Sequence, residues 1–191
     1  MVESSTRTDV QLSQIYAWPS SLTFRLNILI GPSGTTAGED GTSVSLTSAQ
    51  DRRILRLIRK DADVVLLGAE SVRKEGWFFP PTGRLIVLSK TGNLPLETCP
   101  HPERLFIAPS LSSALHNLRE NENKILCEGG LATAELVHQH VCFDEIALTF
   151  RNEDSTAPDF IDFSEYQLLS ELTEKSSEMT FRFWRRAAKP H

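Results

Sequence analysis

The chain has 191 residues, 40% of them hydrophobic, which suits one compact domain with a real core. Its formal charge of -5, with no long basic block, argues against sequence-independent nucleic-acid binding, and no apolar run approaches the length of a membrane span. Cys99, Cys127 and Cys142 make an odd count with no CxxC pair, which points to a reducing, cytoplasmic compartment rather than a disulfide framework.

Residues 1–20 are polar, mixed in charge and without the apolar stretch of a signal peptide. They are expected to form a loosely ordered arm, anchored through Tyr16 and Trp18, ahead of a single domain over 21–188. Phe24, Leu26, Ile28 and Ile30 alternate in a first strand, and Leu22 and Leu29 are also apolar, which suggests cover on both faces. Gly31, Pro32, Ser33 and Gly34 make a turn, and a polar, glycine-bearing loop runs on to Ser45. Ser48 and Asp51 have capping-box spacing, and Ile54, Leu57, Ile58 and Ala62 share one helical face. Val64 to Leu67 is a buried strand ending at Gly68, with a short helical segment over Ala69–Lys74. The paired Pro80 and Pro81 stop any helix after Gly76. Arg84–Leu88 and Leu105–Ala108 are strands, and an amphipathic helix spans Ser112–Glu120. A strand over Ile125–Cys127, a helix over Ala132–His140 and a strand over Glu145–Phe150 follow. Met179, Phe181 and Phe183 alternate in a closing strand, expected to form an antiparallel edge pair with the strand before it.

Strands alternating with helices imply an α/β fold: three layers, with a mixed, mostly parallel central sheet. Ligands in such sheets sit beyond the carboxyl ends of strands. Three loops occupy that position: Gly68–Glu75, Ser89–Asn93 and Glu128–Thr133. The last is the most informative. In the run from Lys124 to Leu131 an apolar strand stops at Glu128, Gly129 and Gly130, and a helical pattern begins at once. Glycine leaves the backbone unshielded, and the first N–H groups of a helix lack intrahelical partners at its positive end. Such a bend suits a dinucleotide pyrophosphate; a plain glycine turn is the alternative. No metal site is expected, since Cys99 and His101 lack a second ligand pair and His138 and His140 cannot share a helical face.

Four blocks in order carry a family likeness: L-T-S-A-Q-D-R-R at Leu46–Arg53, D-A-D-V-V-L-L-G-A-E-S-V-R-K-E-G at Asp61–Gly76, C-E-G-G-L at Cys127–Leu131, and F-R-F-W-R-R at Phe181–Arg186. Together they resemble the pyrimidine reductase domain of bacterial riboflavin biosynthesis, a family with the dihydrofolate-reductase-like fold, here stand-alone without its deaminase partner domain. The resemblance implies NADPH-dependent reduction of a ribosylamino-pyrimidine phosphate, with hydride delivered to the sugar C1, in a cytoplasmic homodimer built on the sheet edge. Neither nucleic acid nor membrane is implied as a partner. It places Gly68, Ser71, Glu75, Gly129, Gly130, Leu131, Ala132 and Thr133 around the cofactor. It places Asn27, Ser33, Ser43, Arg59 and Glu128 on the substrate side. Ser89 and Lys90, a hydroxyl and a point charge just after a strand, are candidates for the adenosine 2′-phosphate on chemical grounds.

Several of these residues have plainer roles open to them. Arg59 could be a helix C-terminal cation, Ser71 a cap, Glu128 a strand-end acid, and Glu75 and Lys90 solvated surface groups. Trp77, Phe78 and Phe79 are expected to pack rather than to bind. The chain also departs from the family. Ser33 stands where an acid is usual. Phe79 and Thr82 stand where arginines hold the substrate phosphate, with only Arg84 nearby. The zinc deaminase motifs are absent. Two alternatives therefore stand beside the pyrimidine reductase: a reductase of the same fold acting on another small heterocycle or carbonyl compound, and a non-catalytic nucleotide-binding homologue.

Overall fold

The computed structural model describes residues 7–188. One eight-stranded sheet has the order β4-β3-β2-β5-β1-β6-β8-β7. Its strands are β1 (Thr23–Ile30), β2 (Val64–Gly68), β3 (Arg84–Leu88), β4 (Leu105–Ala108), β5 (Lys124–Cys127), β6 (Glu145–Phe150), β7 (Tyr166–Glu174) and β8 (Met179–Arg186). β1 to β6 are mutually parallel, β8 is antiparallel to β6, and β7 is antiparallel to β8. The helices are α1 (Asp9–Ile15), α2 (Ala49–Lys60), α3 (Ala69–Glu75), α4 (Leu111–His116) and α5 (Leu131–Val141).

Residue alternation along the strands divides the core. Phe24, Leu26, Ile28 and Ile30 of β1 join one cluster with Leu111 and Ala114 of α4 and Ala134 and Val137 of α5. Val65, Leu67, Leu85, Val87 and Leu126 face the other way, against Leu12 of α1, Ile54 and Ile58 of α2 and Val72 of α3. A two-sided core of this kind explains why β2 is apolar at every position before its glycine and buried throughout. The three-layer, mostly parallel, dihydrofolate-reductase-like architecture is the expected one. No helix among the described residues is long and apolar enough to cross a membrane.

Three elements differ from expectation. The arm is not loose where it is described. Thr8 caps α1 in a full capping box with Gln11, and Leu12 and Tyr16 are buried. The Trp18 indole donates to the Ile58 carbonyl at 3.0 Å and lies 3.9 Å from the Arg25 guanidinium. Arg25, fully buried, donates to Glu145 and to the Tyr16 carbonyl at 2.9 Å each, so a cation inside the sheet layer fastens the arm. Residues 1–6 of that arm lie outside the described residues.

The second difference is α4, which stops at His116 rather than Glu120. Arg84 takes the Asn117 carbonyl and side-chain oxygen at 2.7 Å each, and its guanidinium also pairs with Glu122. The chain is turned to make those contacts. The third is β7, an edge strand with no counterpart in the sequence reading. β6 and β8 do form the expected antiparallel pair, but β7 and not β8 is the edge. Only Tyr166 of β7 is buried, and a bulge between Leu168 and Ser170 breaks its alternation.

Candidate active site

Parallel strands bring their carboxyl ends to one rim. The strand order sets the exit loops of β3, β2, β5 and β1 side by side there: Ser89–Asn93, Gly68–Glu75, Glu128–Thr133 and the loop from Gly31 to Thr47. The chain leaves β1 towards α2 on one face and β5 towards α5 on the other, so a crevice opens between them.

The two glycines of the bend divide the work. A Cβ on Gly129 would lie 2.5 Å from both Cβ and Cγ2 of Thr133, so this glycine lets the strand end sit against the first turn of α5. Gly129 is buried, and its N–H is directed at the Cys127 sulfur. Burial pushes that thiol up to about 12 against this hydrogen bond, leaving it unreactive. Gly130 is open. A Cβ there would meet only Thr36 Oγ1, at 4.0 Å. Gly130 is the N-cap of α5 with no side-chain cap bond, and the N–H groups of Gly130, Leu131 and Ala132 have no protein acceptor among the described residues. The bend is therefore a cradle bounded by Gly68, Thr133 and the β1 loop, with bare amides at the positive end of an eleven-residue helix. A Cβ on Gly68 would lie 2.5 Å from Thr133 Oγ1, which fixes how closely the β2 and β5 exits approach.

The other cofactor candidates are distributed around this cradle. Ser71 does not cap α3, since Gly68 is the N-cap, and its hydroxyl has no protein partner among the described residues. Ser89 is buried and its Oγ accepts from the Gly92 N–H at 3.1 Å, so it shapes the turn, while Lys90 is exposed. Arg73 bridges from α3 to the Asn93 carbonyl at 3.0 Å, adding a second cation to that loop. Glu75 is not merely solvated. Its carboxylate accepts from the Ser43 N–H at 2.9 Å and ties the β1 loop to the end of α3.

The α2 side of the crevice holds the substrate candidates. Arg59 grips Glu128 side-on, Nε to the two carboxylate oxygens at 3.0 and 2.9 Å and Nη2 to Oε2 at 2.8 Å. The Glu128 side chain is only 6% exposed. Burial raises its pKa above the usual carboxylate range; Arg59 opposes this, and Asp51 and Glu75 add to it. Phe78 lies 3.3 Å from the Arg59 guanidinium, whereas Trp77 and Phe79 turn away. Trp77 donates to the Pro95 carbonyl at 3.2 Å, and Phe79 packs edge-on to His101. All three pack against the core as expected, and Phe78 covers Arg59 as well. Asn27 is half-buried on the α2 face of β1 and makes no side-chain hydrogen bond among the described residues. Ser33 is exposed, in left-handed conformation at φ 57°. Arg84 heads β3 at the opposite end of the sheet, paired with Glu122, and is no part of this site.

Asp51 was hidden from sequence reasoning. Ser48 does cap α2, accepting from the Asp51 N–H at 3.1 Å. The carboxylate does not close the box. It turns inward and accepts from Thr47 Oγ1 at 2.6 Å and Thr149 Oγ1 at 2.8 Å. Thr47, four residues before it, was the one local signal; Thr149 lies on β6, far away in sequence. Among the described residues no group of three or more His, Cys, Asp or Glu is placed to hold a metal.

Known structures share this fold. The structure superposes on a pyrimidine reductase-like protein from Corynebacterium diphtheriae with a TM-score of 0.65, at 19% identity over 93% of this chain and 99% of that one. It also superposes on dihydrofolate reductase from Enterococcus faecalis, solved with NADP(H), with a TM-score of 0.64 at 14% identity over 87% of this chain and 97% of that one. A third match is the Thermotoga maritima diaminohydroxyphosphoribosylaminopyrimidine deaminase/reductase, with a TM-score of 0.60 at 18% identity; it covers 93% of this chain but 60% of that one. Among curated proteins no sequence matches significantly. The model of the RibD C-terminal domain matches residues 32–151, a span that runs from the first turn through the crevice to the end of β6. With that span covering well over half its length, the chain belongs to the RibD C-terminal domain family, the reductase family of the riboflavin pathway.

Proposed function

We propose that this protein is an NADPH-dependent reductase that holds the nucleotide diphosphate on the bare amides of Gly130, Leu131 and Ala132. The open space at Gly130 is the observation that carries the proposal, because a Cβ there would occupy the place a phosphate needs. A bound NADPH supplies a hydride, and the cofactor's own chemistry does the reduction. The chain's residues orient and insulate. Thr133 and Gly68 wall the cradle, and Ser71 offers a free hydroxyl beside it. Lys90 and Arg73 lie along the neighbouring loop, where the adenosine 2′-phosphate would be met. Glu75 fastens the β1 loop across the crevice. Glu128, held by Arg59 and buried, retains a proton at higher pH than an ordinary carboxylate and is poised to exchange one with the reduced substrate.

For the substrate, family membership supports a ribosylamino-pyrimidine phosphate reduced at the sugar C1. A second reading, a reductase of the same fold acting on another small heterocycle or carbonyl compound, is favoured by one observation: two of the three Arg59 guanidinium nitrogens, Nε and Nη2, are already engaged by Glu128. A homodimer through the sheet edge is part of the same proposal, supported by Leu168 and Leu169, which stand exposed on β7. The test is a titration of NADPH against protein fluorescence. Saturation below about 1 mM is expected; no saturation there removes the reductase in both forms.

A further inference from the structure

The loop after β1 walls the cradle opposite α5, and one hydroxyl of that loop faces the bare amides. A Cβ on Gly130 would find Thr36 Oγ1 at 4.0 Å and, apart from its chain neighbours, no other side chain within that distance. Thr36 is half-buried, and neither its N–H nor its hydroxyl meets a protein partner among the described residues. The residues beside it close the local turn. Thr35 Oγ1 accepts from the Ala37 N–H at 3.2 Å and donates to the Ala37 carbonyl at 2.8 Å. The Thr35 carbonyl accepts from the Gly31 N–H at 2.7 Å. The turn is therefore complete without Thr36, whose hydroxyl is left for a group outside the chain.

The rest of the loop is fastened on two sides. The Asp40 carboxylate braces it from within, accepting from the Thr42 N–H at 3.0 Å, the Thr42 hydroxyl at 2.9 Å and the Ser45 hydroxyl at 3.0 Å. Arg151, after β6, donates to the carbonyls of Ser45 and Leu46. Glu75, at the end of α3, accepts from the Ser43 N–H at 2.9 Å. Because α3 leaves from Gly68, which is fitted against Thr133 of α5, the loop and the bend keep a common spacing. A diphosphate lying on the amides presents oxygens away from the helix as well as towards it. The 4.0 Å between the Thr36 hydroxyl and the place of a methyl carbon admits such an oxygen, since a charge-assisted O–H···O⁻ bond is about 2.5–2.7 Å long.

We propose that Thr36 is a ligand of the cofactor diphosphate, donating its hydroxyl from the side opposite the α5 amides, and that Glu75 is a positioning residue that holds the loop in place through Ser43. The inference rests on the reductase reading above. The experiment therefore begins with NADPH titrated into the unaltered protein; no saturation there refutes both readings together, whereas the variants test Thr36 alone. Thr36→Val keeps the branched shape and removes the O–H. Its NADPH dissociation constant is expected to rise about tenfold, with the melting temperature of the unliganded protein retained. Thr36→Ser keeps the hydroxyl and is expected to stay close to the unaltered affinity. Unchanged affinity in Thr36→Val, or equal losses in the Val and Ser variants, overturns the assignment. For Glu75 the readout is coupling. Glu75→Ala is expected to weaken NADPH about tenfold in the otherwise unaltered protein and much less in the Thr36→Val background. Glu75→Gln, whose amide oxygen still accepts from the Ser43 N–H, is expected to keep most of the affinity. Equal losses from Glu75→Ala in both backgrounds overturn the positioning role.

Discussion

Glu128 shows how one side chain can be placed between two opposing effects. Burial, Asp51 and Glu75 all favour its neutral form, and Arg59 alone favours the carboxylate. A carboxyl whose folded-state pKa is raised contributes most stability below the ordinary carboxyl range and loses it as pH rises through the raised value. Arg59→Met therefore moves the Glu128 pKa further up. The variant should be destabilised by about 3 kcal/mol at pH 8, where an unpaired buried charge remains, and by clearly less at pH 5. Urea unfolding at the two pH values measures this, and equal losses at both would contradict the pairing. Arg59 and Glu128 were both marked in the sequence as substrate-side residues. Their mutual bond was not legible, because nothing local relates a helix C-terminus to a strand end sixty-nine positions away.

Elements carry the next level of cause. The bend after β5 uses its two glycines differently, and substitution should separate them. Gly129→Ala drives a Cβ into Thr133 at 2.5 Å and is expected to cost about 1–3 kcal/mol by overpacking. Gly130→Val enters open space at a φ of -59°, which any residue adopts, so the fold should stand. NADPH affinity should nevertheless fall more than tenfold in Gly130→Val. Thermal melting and fluorescence titration of both variants check the division; normal NADPH binding in Gly130→Val would refute the placement of the diphosphate. The bend was legible because strand, glycines and helix are contiguous. β7 was not, because its nine residues are mostly exposed, its bulge spoils the period-two pattern, and its pairing with β8 supplies the order its composition lacks. α1 was missed for a related reason: its capping box was readable at Thr8 and Gln11, but seven residues with one buried leucine hold together only once α2 and the sheet receive them.

At the scale of the molecule, the two ends of the sheet serve different purposes. The carboxyl-end rim is lined by glycines, hydroxyls and bare amides. The amino-end region is closed by ion pairs. Arg25 and Glu145, both fully buried, join at 2.9 Å, and Arg185 adds a second contact to Glu145 at 2.8 Å. Arg25 also holds the arm through the Tyr16 and Ala17 carbonyls. Arg25→Met should destabilise the fold by about 3–5 kcal/mol, since it leaves the Glu145 charge poorly compensated and releases the arm. Adding Glu145→Leu should recover part of that loss, and NADPH affinity should stay unchanged in both because the pair lies away from the rim. Urea unfolding followed by tryptophan fluorescence reports the first two; Trp18 lies on Arg25 and will register its loss.

The amino-acid sequence by itself determined the alternation of strands and helices, the mostly parallel sheet, the glycine bend and the family. Each of these rests on contiguous residues, whose periodicity and backbone freedom act within a few positions of one another. Only the tertiary structure decided which charges meet. It closed Arg59 on Glu128, sent Arg84 to the opposite end of the sheet, turned Asp51 inward to Thr149, and set Phe78 apart from Trp77 and Phe79. Side-chain partnership across a sheet depends on strand order and helix placement, which no local pattern encodes.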